Sequence, residues 1–285
     1  MTKTNKHGPL ASETISQVIM HLSDYVGPKS ISSLSRTNKQ LNSTINNYAS
    51  YIERNMKVTN KDFVRLLSLM AIGTEANEHK ARIVKKYLRN RNIDPSVDDN
   101  LAIRWASGFD QVDLVKLLLK DPRVDPSARN NEAIRTLSYS GRVEIAKLLL
   151  TDPRVDPSVK NNEPIKSASL YGHANLVKLF LADPRVDPSD DDNKAIRYAS
   201  SDGNIEVVKL LLADPRVDPS ATYTWGGGGL NAIEVASKIG HIDIVKLLLT
   251  DSRIKLKDIN GAIQQASENG HKKIVKLLKQ AMSKR

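Results

Sequence analysis

Apolar residues in the last two-thirds of the chain fall into paired helical patterns that return every 31 residues. In residues 125–155, DPSARNNEAIRTLSYSGRVEIAKLLLTDPRV, the residues Ala133, Ile134 and Leu137 recur at helical spacing and predict a helix from Glu132 to about Tyr139. Asn131 stands before this run, where a side-chain oxygen can cap free N–H groups. Gly141 ends it, and a second helix follows from Val143 to Leu150. Asp152-Pro153 stops that helix, because proline lacks an N–H and disfavours helical geometry in its predecessor. The second helix is apolar on most sides, as in Leu114, Val115, Leu117, Leu118 and Leu119. Such a helix must be covered by several neighbours, so one unit does not fold alone and the units stack in a row. Between units lies DPRVDPS, at 121–127, 152–158, 183–189 and 214–220. Its first Asp-Pro ends a helix pair, its valine plugs the seam, and its second Asp-Pro-Ser turns the chain. The Asp-Pro pairs are read as structural and not as catalytic.

Charge changes this picture little. The net +11 is uneven: residues 94–285 carry 28 Lys/Arg and 26 Asp/Glu, so the repeated part is only +2, while residues 1–60 and 61–93 are +4 and +5. That imbalance steers acidic partners, but no aromatic-interleaved basic strand accompanies it, which argues against nucleic acid. A lysine recurs inside the second helix (Lys85, Lys116, Lys147, Lys178, Lys209, Lys246, Lys276) and reads as a solvated outer edge with its stem on apolar surface. No apolar run reaches the roughly 18–20 residues of a membrane span. The start, MTKTNKHGPL, lacks the apolar centre of a secretory signal, so cytoplasm is expected, with the nucleus as the other compartment. Zero cysteines exclude disulfides, thiolate metal sites and a cysteine nucleophile. The six histidines are scattered, and Gly226–Gly229 lacks the Lys-Ser/Thr of a phosphate cradle. No enzyme, metal or cofactor is therefore expected.

The repeated units resemble ankyrin repeats, most clearly in EPIKSASLYGHANLVKLFL (163–181). Pro164 matches the family's Thr-Pro-Leu-His proline, Gly172-His173 its Gly-His, and Leu176-Val177 its Ile-Val; Gly-His returns at Gly240-His241 and Gly270-His271. The resemblance implies an all-α, ankyrin-type helix-pair solenoid. Six units are expected, at 94–124, 125–155, 156–186, 187–217, 218–254 and 255–285, after a divergent first repeat at 57–93. Three departures stand out. The period is 31 residues against a family norm of about 33, so the projecting β-hairpins should shrink to short turns or reduced hairpins. Arg104, Arg135, Lys166 and Arg197 stand where the family has His, removing a usual stabilising hydrogen bond. Unit five carries six extra residues in ATYTWGGGGL (221–230), which should leave Tyr223 and Trp225 protruding as aromatic binding residues.

Ankyrin arrays bind other proteins along their concave side, through the fingers and the first helix of each pair. By resemblance, Trp105, Thr136, Ser167, Tyr198, Val235 and Gln265 occupy its variable position. The adjacent Arg104, Arg135, Lys166 and Arg197 form either a basic row for an acidic partner or local pairs with Asp99, Glu132, Glu163 and Asp190–Asp192. A monomer is expected.

Residues 1–56 hold a small helical segment. Ser12 can cap a helix with Ile15, Val18, Ile19 and Leu22 on one face, Gly27-Pro28 breaks it, and Leu34, Leu41 and Ile45 follow in register. This segment is similar to an F-box: Leu10 and Glu13 match its opening, Ile31 and Leu34 its second apolar pair, and Lys39 a later lysine. Ala11 replaces the family's proline and Leu41 its tryptophan. The resemblance implies that Leu10, Glu13, Ile15, Ile19 and Leu34 dock on the Skp adaptor of a cullin ubiquitin ligase, while the repeats capture the protein to be modified. Joined F-box-like and ankyrin segments are well represented in large DNA viruses, which implies a host-directed role. The alternative is a plain ankyrin scaffold or inhibitor.

Overall fold

A computed structural model describes residues 59, 60, 63, 84–223 and 229–284. These residues form helices and turns with no strand among them. Six helix pairs follow one another. The leading helices are α1 Val97–Gly108, α3 Ala128–Ser140, α5 Val159–Leu170, α7 Asp190–Ser201, α9 Ala232–Ile239 and α11 Leu256–Glu268. The trailing helices are α2 Val112–Leu118, α4 Val143–Leu149, α6 Ala174–Leu181, α8 Ile205–Leu212, α10 Ile242–Leu249 and α12 Lys272–Met282. Each leading helix packs on the next leading helix, and each trailing helix on its leading partner and on the next trailing helix. The packing is sequential, which makes the chain an all-α solenoid rather than a closed bundle.

The trailing helices supply a continuous apolar spine. Ile145, Ala146 and Leu149 of α4 are fully buried, as are Val177 and Phe180 of α6 and Val208 and Leu211 of α8. Burying a side chain of this size is worth about 1.5–3 kcal/mol relative to leaving it exposed. The cover comes from adjacent units, so the stabilisation is shared between neighbours. The recurring lysine lies on the opposite face. Lys116, Lys147, Lys209 and Lys246 each pair with a carboxylate three residues earlier, at 2.6–3.8 Å.

The valine of DPRVDPS plugs the seam as its sequence suggests: Val124, Val155, Val186 and Val217 are at most 2% exposed. The arginine does more than periodicity shows. Arg185 forks onto the Asp183 carboxylate (2.7 and 3.0 Å) and donates from Nη1 to the carbonyl of Val155, in the preceding unit, at 2.8 Å. Arg123, Arg216 and Arg253 repeat this bridge to Ile93, Val186 and Val217. In the second Asp-Pro-Ser, Asp156 accepts from both the N–H (2.8 Å) and the hydroxyl (2.6 Å) of Ser158, which fixes the turn.

The shortened connection is not a hairpin. Asp98, Asp99 and Asn100 all have positive φ, and so do Arg129–Asn131, Lys160–Asn162 and Asp191–Asn193. Each triplet makes a left-handed turn within the first residues of α1, α3, α5 or α7, before the right-handed part, and each closes through a backbone bond such as Asn131 N–H to Ser127 C=O at 2.8 Å. Left-handed backbone is costly for L-residues and least so for Asn and Asp, which explains the Asx-rich composition here. Asn131 therefore does not cap its helix. Its Oδ1 accepts instead from the N–H of Asp156 in the next unit (2.8 Å), and Asn100, Asn162 and Asn193 do the same at 2.7–2.8 Å.

Unit five is built differently. Its Asn231 is extended and caps α9 reciprocally with Glu234, and its Nδ2 donates to Asp258 of unit six at 3.0 Å.

Candidate protein-binding surface

The four basic residues beside the variable position are consumed by the array. Arg104 is 7% exposed; it donates to the carbonyls of Asp98 and Asp99 (3.0 Å each) and to Glu132 of the next unit (2.8 Å). Arg135 binds the Asn130 carbonyl (3.1 Å) and Glu163 (3.3 Å). Lys166, also buried, reaches Asp191 at 3.2 Å. Arg197 binds the carbonyls of Asp191 and Asp192. Burial pushes the Arg197 guanidinium below its ordinary range, with Asp191 and Asp192 opposing that shift. Of the two sequence expectations, the local pairing is the one formed. These side chains hold the left-handed turns and interlock successive units, so they are not a free basic row. In place of the family's His, Arg104, Arg135 and Arg197 each bond carbonyls of the left-handed turn, and Lys166 bonds Asp191.

The Gly-His turn forms a second interlock. His173 Nε2 lies 3.0 Å from the Tyr139 carbonyl, and His241 and His271 reach Ser201 and Lys238 equally closely. In unit four Asn204 replaces the histidine and donates to the carbonyls of Ser169 and Leu170.

At the variable position, Trp105, Thr136, Tyr198, Val235 and Gln265 are half-buried and Ser167 is buried. One turn further on, the leading helices present large exposed apolar residues that sequence reasoning passed over: Phe109 (45% exposed), Tyr139 (45%) and Tyr171 (52%). Trp105 packs edge-on to Phe109, with centroids 6.2 Å apart, and Tyr139 edge-on to Tyr171 at 5.7 Å across a unit boundary. Tyr139 also donates its hydroxyl to Glu163. That bond raises the tyrosine's pKa. It also combines with Arg135 to outweigh the burial of Glu163 and hold this carboxylate below its usual range. Residues three or four apart share a helix face, so units one to three carry a line of aromatic side chains. Tyr198 extends the line in unit four, under the Lys194 ammonium at 5.4 Å. The signal was present as Phe109, Tyr139 and Tyr171 near the glycine position, but it falls one residue apart in alternate units and escapes a strict period.

Tyr223 does not protrude as expected. It is half-buried, with the Arg197 guanidinium 5.4 Å from its ring centroid. Trp225 lies outside the described residues, as do Leu10, Glu13, Ile15, Ile19 and Leu34. Among the described residues no acid and histidine cluster could hold a metal, and no helix is long and apolar enough to cross a membrane.

Sequential helix pairs, Gly-His turns and interlocked units define a stacked-repeat solenoid of the protein-binding kind. The family model for ankyrin repeats (3 copies) matches residues 133–223 and 196–284, more than half of the chain, and the protein belongs to the ankyrin-repeat family. No curated protein matches it. Membership makes the array a protein–protein interaction module.

Proposed function

We propose that the chain captures a protein on the aromatic line of its leading helices and recruits it to a cullin-type ubiquitin ligase through the F-box-like segment. The observation that carries the capture reading is the exposure of Phe109, Tyr139 and Tyr171 on consecutive units, since monomeric surfaces seldom align large aromatics without a use for them. The ligase reading is supported by Leu10, Glu13, Leu22 and Leu34 preceding the array at F-box-like positions. The proposed setting is the cytoplasm, of a host cell if the chain is viral, with the nucleus as the alternative. The second reading, a scaffold or inhibitor without any ligase, rests on the same aromatic line alone.

Point variants of the full chain separate the two. Leu10→Ala with Leu34→Ala is expected to lose co-purifying Skp adaptor and cullin while keeping the captured protein. Tyr139→Ala with Tyr171→Ala is expected to do the reverse. A wild-type chain that brings down a captured protein and no ligase subunit establishes the scaffold. A captured protein retained by the tyrosine variant removes the aromatic line from the account.

A further inference from the structure

The Arg104 row is spent internally, so the chain's unpaired positive charge lies elsewhere. A shallow groove of about 670 Å³ lies at the border between the divergent repeat and unit one. Lys85, Arg89, Arg91, Lys120 and Arg123 line it, with Asp121 as the one carboxylate, over a floor of Leu88, Leu117 and Pro122. Asp121 is taken by Arg123 at 2.6 Å. Lys85, Arg89, Arg91 and Lys120 are exposed, and among the described residues no carboxylate pairs with them.

The corresponding sites further along the array are different. The position of Arg89 and Lys120 becomes Thr151, Ala182, Ala213 and Thr250 in later units. The lysines equivalent to Lys85 in α2, α4, α8 and α10 are neutralised by an acid three residues earlier, whereas Lys85 has Arg82 there. Exposed cations without a paired carboxylate among the described residues also stand at Lys178 and along α12 (Lys272, Lys273, Lys276 and Lys279), but at this border four of them surround one groove, where like charges repel.

From this we infer that the groove is a second docking surface, separate from the aromatic line, and that it takes an acidic protein segment in which carboxylates flank apolar side chains. Four cations without a carboxylate partner among the described residues, around a recessed floor, match that alternation: the carboxylates meet the rim, and an apolar side chain covers Leu88 and Leu117. Nucleic acid fits less well, since no aromatic side chain lines the groove to stack a base and phosphates gain nothing from an apolar floor. A bilayer fits less well too, because its apolar phase is reached by protruding side chains and this floor is recessed.

The test is fluorescence anisotropy of the full chain with a short labelled peptide of repeating Glu-Glu-Leu. Binding is expected, to weaken as added salt shortens the Debye length below about 10 Å, and to vanish for the peptide with Gln in place of Glu. Arg89→Glu, Arg91→Glu and Lys120→Glu together should weaken it at least about tenfold, given that each of the three reversals removes one weak attraction and adds one repulsion. If that variant melts early, Arg89→Gln with Arg91→Gln serves, with a smaller loss. Tyr139→Ala with Tyr171→Ala should leave peptide affinity unchanged, so this result is independent of the capture reading above. Wild-type failure to bind the peptide, or equal binding by the groove variants, overturns the proposal. So does tighter groove-dependent binding of duplex DNA or of phosphatidylcholine–phosphatidylserine vesicles than of the peptide.

Discussion

Gly172 and Gly270 occupy the same turn in different units, and both need positive φ, +73° and +76°. Their surroundings differ. A Cβ on Gly172 would sit 2.6 Å from Oδ1 of Asn204, whereas nothing lies within 4 Å of one on Gly270. Gly270→Ala should therefore cost only the left-handed backbone term, about 1–2 kcal/mol. Gly172→Ala should cost about 1–2 kcal/mol more, because Asn204 must leave the carbonyls of Ser169 and Leu170. Urea unfolding midpoints of the two variants measure the difference; equal losses would show that Asn204 does not brace the turn. The glycines were legible from the sequence as helix ends. Their second duty, leaving room for the next unit's side chain, was not, because it depends on a contact about thirty residues away. For Arg104 and its equivalents the local carboxylate pairs were legible as one of two readings, while their bonds to turn carbonyls were not. Recurring cations beside a variable position look available until the carbonyls of a left-handed turn and the carboxylate of the following unit are seen to claim them.

The helices themselves were readable, since Ala133, Ile134 and Leu137 in one and Ile145, Ala146 and Leu149 in its partner carry the period that burial requires. The link between pairs was readable only as a shortening. Three successive left-handed residues are rare enough that no local rule anticipates them, and the only clue was the run of Asn and Asp. Lys160 departs from that run: it is exposed, with φ +52°, in the position held by Asp98 and Asp191 elsewhere. Lys160→Asn should stabilise the protein by about 0.5–1 kcal/mol, because Asn tolerates this backbone better than a residue with a long side chain. A raised melting temperature checks this, and a lowered one would mean that Lys160 has an attractive role with Glu163 that outweighs its backbone cost.

Acid should unravel the array as a unit. Side-chain bonds from Arg123, Arg154, Arg185 and Arg216 hold Asp121, Asp152, Asp183 and Asp214 below the usual carboxylate range. Because the folded values are depressed, this stability is complete above the unfolded value and is lost as pH falls through the folded ones. Circular dichroism should show little change in urea resistance between neutrality and about pH 5, and a steep fall below about pH 4. Arg185→Gln should flatten that fall, since Asp183 then keeps only the backbone N–H bond of residue 185 and is held down less. An unchanged acid limb would assign acid sensitivity to other groups.

The segment 156–186 reaches forward with Asn162 and backward with Arg185, and it finds at either border the same acceptor and donor that it offers. A segment with matching ends is a cassette. A duplicate of 156–186 spliced in at residue 187 keeps the asparagine and arginine bonds at both borders, but sets Asn162 and Lys166 of the first copy against Val159 and Lys160 of the second in place of Asp190 and Asp191. With Asp restored at those two positions, recombination can lengthen this protein by whole steps and renew its aromatic face one copy at a time.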